Sequence, residues 1–333
     1  VILAGDVGGT KTVLATFDPN GLRLVREQVF PCAEYPSLEA ILDQFITPRQ
    51  AEGLWAAAFG VAGPVDGNAS KITNLPWTID GKTLSKKLGG IRVDLLNDLQ
   101  AWALGSLVLP QDAFTVLQQG ARADDGPIAV IAPGTGLGEA ILVADNGRYR
   151  ALASEGGHAD FAPTTDEEIE LLKFLRARYG GHVSYERVLS GDGIGDLYDF
   201  ARAQAATPEP AWLAKDIAAT ADRNAVVSKV ALAGTDPVCV RALELFVEIL
   251  GAEAGNLALR VMATGGVVIG GGIPAKVLPA LQTGRLIGRL TDKGRFSAWT
   301  RGLSVRVALD PRAAILGAAH HAATGSPAAV KTT

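Results

Sequence analysis

Ile2-Leu3-Ala4-Gly5-Asp6-Val7-Gly8-Gly9-Thr10-Lys11-Thr12, followed by Val13-Leu14-Ala15-Thr16-Phe17, reads as a strand, a tight glycine turn and a second strand. Glycine supplies the positive φ that such a turn needs. The next run, 22–30, alternates and fits a third strand of a meander. The same opening returns at Ile128-Ala129-Val130-Ile131-Ala132-Pro133-Gly134-Thr135-Gly136-Leu137-Gly138, with a strand over 140–144 behind it. Two such units, each heading a mixed α/β half, point to a duplicated architecture. Chance recurrence stays open, because apolar runs ending in glycine are common in α/β proteins. A third strand-to-glycine junction runs from Gly265 through Gly270-Gly271-Gly272 to Pro274, which suits the first turn of a helix.

At 333 residues the chain has room for two domains of about 150 residues each. Apolar residues make up 48% and charged residues 20%, the balance of a folded globular protein. A net charge of -4 leaves no basic excess to neutralise a phosphate backbone, which argues against a nucleic-acid partner. Cys32 and Cys239 lie far apart and share no motif spacing, so neither a disulfide framework nor a Cys-rich zinc site is expected. The opening apolar run meets Asp6 too early for a signal peptide, and no segment reaches about 18 uninterrupted apolar residues. The expectation is a soluble, cytoplasmic protein with no membrane partner.

Ser37 is placed to cap a helix over 38–46, and 54–61 and 93–96 read as buried strands. A helix over 101–109 ends at Pro110. Thr165 is placed to cap 166–179, and a long helix over 241–262 tolerates Gly251 and Gly255. A strand over 303–309 and an Ala-rich helix over 312–322 close the fold, with a small, polar tail over 324–333 expected to fray.

Glycine loops expose backbone N–H groups that converge on anions, so three of them raise nucleotide phosphates as ligands. A dinucleotide fold would need G-x-G-x-x-G leading into a helix, whereas here the first loop leads into a strand. The Walker pattern G-x-x-x-x-G-K-[ST] is absent as well. What remains is phosphate held by hairpin turns from two halves.

Asp6-Val7-Gly8-Gly9-Thr10-Lys11 resembles the first phosphate motif of the sugar-kinase, actin and heat-shock ATPase superfamily. Gly134-Thr135-Gly136-Leu137-Gly138 resembles its second phosphate motif, and Gly270-Gly271-Gly272 its adenosine motif. Within that superfamily the chain is similar to the bacterial glucokinase family. Leu96-Asn97-Asp98-Leu99, Ser154-Glu155-Gly156-Gly157-His158-Ala159-Asp160-Phe161-Ala162-Pro163 and Glu186-Arg187-Val188-Leu189-Ser190-Gly191 carry that likeness, in order over nearly the whole chain.

The resemblance implies an actin-like (ribonuclease H-like) α/β fold of two domains with a cleft between them. The small domain takes 1–109 plus 311–333 and the large one 110–310. It implies ATP-dependent phosphorylation of glucose, with Mg²⁺ and a homodimer. Asp98 stands where the family keeps the base on the 6-hydroxyl; its local alternative is capping the helix that follows. Asn97, Glu155, His158 and Glu186 match the sugar-hydroxyl ligands, and Asn74, in Thr73-Asn74-Leu75-Pro76-Trp77, matches a loop over the sugar, where Trp77 is a packing residue. Gly5, Asp6, Val7, Gly8, Gly9, Thr10, Gly134, Thr135, Gly136, Gly271 and Gly272 match nucleotide contacts. Asp6 is expected to hold Mg²⁺ through water, its local alternative being an Asx-turn in the hairpin. Lys11 is a departure, since some glucokinases carry Asn there, and no essential role is assigned to it. Residues 159–185 lack the cysteines of the zinc-bearing repressor–kinase group, so structural zinc is not expected, and with the first motif at residue 6 that group's DNA-binding helix-turn-helix is not expected either. A kinase for another hexose and a non-catalytic sugar sensor stay as alternatives.

Overall fold

The computed structural model describes residues 1–325, so most of the tail lies outside the described residues. Two compact units divide the chain. The first comprises Val1–Ala113, Arg148–Ala153 and the segment from Asp310 onward; the second comprises Phe114–Gly147 and Ser154–Leu309.

In the first unit, β1 (Ile2–Val7), β2 (Lys11–Asp18) and β3 (Arg23–Pro31) form the meander read from the sequence. Then come β4 (Ala56–Val61), a small sheet of β5 (Val65–Asp66), β6 (Ala69–Lys71) and β7 (Thr78–Asp80), and β8 (Arg92–Asn97). The main sheet is ordered β3-β2-β1-β4-β8, with β1, β4 and β8 parallel. Val7 pairs with Val61, and Val61 with Asn97, so three carboxyl ends finish in one row. Side chains alternate across β1. Leu3 and Val7 pack with the Leu38–Phe45 helix, while Ile2 and Ala4 pack under the Ala313–Thr324 helix.

Ser37 sits at the N-cap in extended conformation, but its side chain makes no capping bond. The helix expected from 101 begins at Asp98, because Asn97 and Gln100 close a reciprocal capping box around its first turn. That helix touches the Ala313–Thr324 helix nearly backbone to backbone: a methyl on Gly317 would overlap the Ala101 carbonyl. Gly317→Val is therefore expected to cost about 1–3 kcal/mol, seen as a lowered Tm. Gly288, with open space around its Cβ position inside the Arg285–Thr291 helix, is the contrast. Gly288→Ala should stabilise by about 0.4–1 kcal/mol.

The second unit contains β9 (Phe114–Gln118), β10 (Ile128–Pro133) and β11 (Leu137–Asp145). After β12 (Arg148–Ser154), most of which belongs to the first unit, come β13 (Gly266–Ile269) and β14 (Val305–Ala308). β10 pairs antiparallel with β11 and parallel with β13, which is parallel to β14; β9 adds antiparallel to β14. Apart from β9, this repeats the pairing of β1 with β2, β4 and β8. Topology thus decides for duplication over chance.

The long helix runs Pro237–Val261, four residues earlier than expected. Asp236 caps it by accepting from Val238 and Cys239 N–H, with Pro237 at its first position. Its glycines are packing positions, since a methyl on Gly251 would overlap the Leu286 carbonyl. Both cysteines are buried. Among the described residues, no helix is long and apolar enough to cross a membrane.

Candidate active site

The first unit gathers its polar residues at the carboxyl ends of β1 and β8. Asp98 follows β8 directly as the first helical residue, and its Oδ1 accepts the Leu99 N–H at 2.8 Å. The capping role weighed for Asp98 falls to Asn97, whose Oδ1 also accepts from Leu99 N–H and whose Nδ2 donates to the Gly63 carbonyl at 3.3 Å. Gly60, one residue before the end of β4, stands close to Ala101 and Asp98, so a bare residue there lets the helix approach. Burial first, and the Asp98 charge second, push the Asp6 carboxyl up to about 6, while Lys11 pulls it down. An oxygen donor held at such a cost beside a second carboxylate suits a hard cation such as Mg²⁺.

The turn after β1 is built by Gly8 N–H donating to the Lys11 carbonyl at 3.1 Å. Cys32 braces it: its Sγ lies 3.4 Å from the Gly8 carbonyl, and its N–H donates to the Thr10 carbonyl at 2.9 Å. Sequence reading saw only a buried thiol there. A Cβ on Gly9 would come within 3.3 Å of the Thr73 carbonyl, so the Thr73–Asn74 turn lies against this hairpin. Asn74 occupies that turn with φ of 65°, and Trp77 is buried beneath it as a packing residue. Gly5 and Val7 lie buried inside the sheet, and a methyl on Gly5 would overlap the Phe59 ring. These two shape the strand, whereas the turn itself presents Gly8, Gly9 and Thr10.

The second unit repeats the arrangement after β10. Gly134 N–H donates to the Gly136 carbonyl at 2.8 Å, and Gly191 N–H to the Gly134 carbonyl at 2.9 Å. Among the described residues, the N–H groups of Gly9, Thr10, Thr135 and Gly136 find no protein acceptor. Orphan donors of this kind on a hairpin suit an anionic ligand. Glu186 is tied to the second turn, its Oε2 accepting Leu137 N–H at 2.9 Å. His158 lies between Glu155 and Glu186, 3.9 Å from a carboxylate oxygen of each. Three sugar-ligand candidates from two segments therefore converge here.

Gly271, with φ of 86°, packs so tightly on the Pro133 carbonyl that no side chain fits, and Gly272 opens the Gly272–Lys276 helix. Beside it lies a cavity of about 380 Å³ with Ile194, Ile273 and Val277 as apolar lining and Asp222, Lys229 and Lys276 as polar lining. Sequence reading missed these residues, which come from three separate helices or their caps and share no local motif.

The glucokinase family model matches residues 3–325. The chain belongs to the glucokinase family. The glucokinase of Synechocystis sp. is 39% identical over 95% of this chain and 96% of its own length. That of Chromobacterium violaceum is 38% identical over 96% and 89%. The crystal structure of a glucokinase from an Antarctic psychrotroph matches with a TM-score of 0.84 at 31% identity, over 96% of this chain and 98% of that one. A ROK family glucokinase from Streptomyces griseus, in complex with glucose and AMPPNP, shares the fold at a TM-score of 0.62 and 22% identity. The resemblance drawn from the motifs, and the actin-like sugar-kinase fold it implied, are borne out.

Proposed function

We infer that the chain is a glucokinase, transferring the γ-phosphoryl group of ATP to the 6-hydroxyl of glucose. Family membership over nearly the full chain supports this, and one structural observation carries the chemistry: Asp98 stands in the row of strand ends that also holds Asp6. A sugar hydroxyl is a poor nucleophile at neutral pH, and a carboxylate at Asp98 accepts its proton as the new O–P bond forms. On the family resemblance, Asn97, Asn74, Glu155, His158 and Glu186 are the ligands of the remaining hydroxyls. Groups that donate and accept in fixed directions disfavour an epimer, which leaves one of them unpaired.

Gly8, Gly9 and Thr10 and Gly134, Thr135 and Gly136 hold the ATP phosphates through backbone N–H groups. Gly271 and Gly272, with the apolar lining of Ile194, Ile273 and Val277, take the adenosine. Asp6 would hold Mg²⁺, which would supply positive charge to offset that of the ATP phosphates. Positioning and charge dominate such a reaction, since little covalent work falls to the protein. A cytoplasmic homodimer belongs to the same proposal, on the strength of the family resemblance.

The test is ADP release from Mg-ATP without sugar, then with glucose, mannose, fructose or N-acetylglucosamine. Glucose-dependent release on the order of 1–100 per second is expected. Release only with another sugar would keep the mechanism and overturn the substrate. No release with any sugar, from folded protein, would favour the binding-only sensor.

A further inference from the structure

Behind the sugar-ligand segments the second unit buries two carboxyl groups against each other. Glu139 lies within β11 at 1% exposure, and Glu253 within the long helix at 0%. Neither Oε of Glu139 meets a donor among the described residues, and its carboxyl lies against that of Glu253. Two carboxylates only accept, so this contact becomes a hydrogen bond when one proton is shared. Glu253 is the partner with hydrogen-bond donors, accepting from Arg260 Nη1 at 2.6 Å and Asn256 Nδ2 at 2.9 Å. The proton therefore belongs on Glu139. Burial, and then the Glu253 charge, push Glu139 up to about 7, against an opposing pull from Arg260.

Two contacts carry the pair to the site. Glu139 Oε2 fills the space where a side chain on Gly156 would start, and Gly156 is the residue after Glu155 in the turn that ends with His158. Ser154 Oγ accepts the Gly156 N–H at 3.0 Å and closes that turn. On the other side, Asn256 Nδ2 also donates to Tyr185 Oη at 3.1 Å, and Tyr185 immediately precedes Glu186. Lys293 completes the cluster by donating to Asn256 Oδ1 at 2.8 Å.

We propose that Glu139 is a positioning residue for glucose binding: its proton, shared with Glu253, keeps the pair closed and holds the Glu155–His158 turn in register with Glu186. This rests on those three residues being sugar ligands. Loss of the proton leaves two buried like charges beside Arg260 and Lys293, the pair opens, and the Gly156 turn moves with it. The folded protein keeps this proton after an unfolded chain has released it at the ordinary 4.5, so its stabilising effect is full below that value and is lost as pH rises through about 7.

Glu139→Gln tests it, because the amide donates to Glu253 without a titrating proton. KM for glucose in the wild type is expected to rise about tenfold more than in Glu139→Gln between about pH 6 and about pH 9, the worth of one such hydrogen bond. The profiles of kcat and of KM for ATP should keep one shape in both proteins. His158 and the catalytic carboxylate are common to both and cancel in the ratio. Glu139→Leu, which cannot bond to Glu253, should raise KM for glucose across the whole range, and Gln should rescue it. Superimposable KM profiles for wild type and Gln would overturn the proposal. So would a Gln variant that fails to fold, since a neutral isostere must fit where a neutral group is held. Thermal unfolding over the same range reads the proton without activity: the wild-type Tm should fall relative to Glu139→Gln as pH rises through about 7. A constant difference in Tm overturns the shared proton. A pH-dependent difference in a wild type that shows no glucose-dependent ADP release instead overturns the sugar-ligand reading and the positioning role with it.

Discussion

Asp98→Asn lowers kcat by about 10²–10⁴-fold, the range that general acid–base catalysis contributes, while glucose still binds. Asparagine keeps the size of the side chain and an oxygen for the Leu99 N–H, so the first turn of the helix survives. Asn97 and Gln100, which close that turn, are untouched. Only the basicity is lost. The substitution also removes the charge that helps push Asp6 up, so the ionised form of Asp6 becomes easier to reach in the variant. A loss of rate in Asp98→Asn therefore cannot be assigned to protonation of Asp6. Single-turnover ADP release and calorimetric glucose binding separate the two steps. Turnover at the wild-type rate would remove Asp98 as the base.

Glu186→Ala has the second largest effect. A hydrogen bond to a charged group contributes about 1.5–3 kcal/mol, and each 1.4 kcal/mol is about tenfold. KM for glucose should accordingly rise by about 10–100-fold. Glu186 differs from its neighbours because its other carboxylate oxygen holds Leu137 N–H at the exit of the Gly134–Gly136 turn. Its loss should also raise KM for ATP, by a smaller factor. Glu155→Ala is the control, since Glu155 is largely exposed and the ion pair it makes is to His158. It should weaken glucose without moving KM for ATP. Equal effects of the two variants on ATP would detach the Gly134–Gly136 turn, through Glu186, from ATP binding.

Much of the fold was legible because its signals are local. Apolar runs on either side of glycine turns marked β1, β2, β10 and β11, and Thr165 caps its helix as its chemistry requires. Element edges were less legible. The helix after β8 starts three residues early because Asn97 and Gln100 satisfy its first N–H groups, and a cap outweighs the apolar spacing that begins at Ala101. Ser37 shows the reverse, a capping residue type whose hydroxyl makes no capping bond. Within the site, Asp6, Asp98, Glu155, His158 and Glu186 stood out only through ordered motifs, since each alone has an ordinary structural role.

The amino-acid sequence by itself determined the family, the glycine turns and the identity of the ligand candidates, because backbone conformation and side-chain chemistry are properties of short segments. Tertiary structure alone decided which of these groups meet. Parallel register brings Asp6 and Asp98 to one row of strand ends, and the packing of two segments brings His158 between Glu155 and Glu186. The same holds for Cys32 under the Gly8–Lys11 turn and for Glu139 against Glu253, 114 residues apart in the chain. A carboxyl group's protonation depends on what surrounds it in space, and no spacing along the chain encodes that.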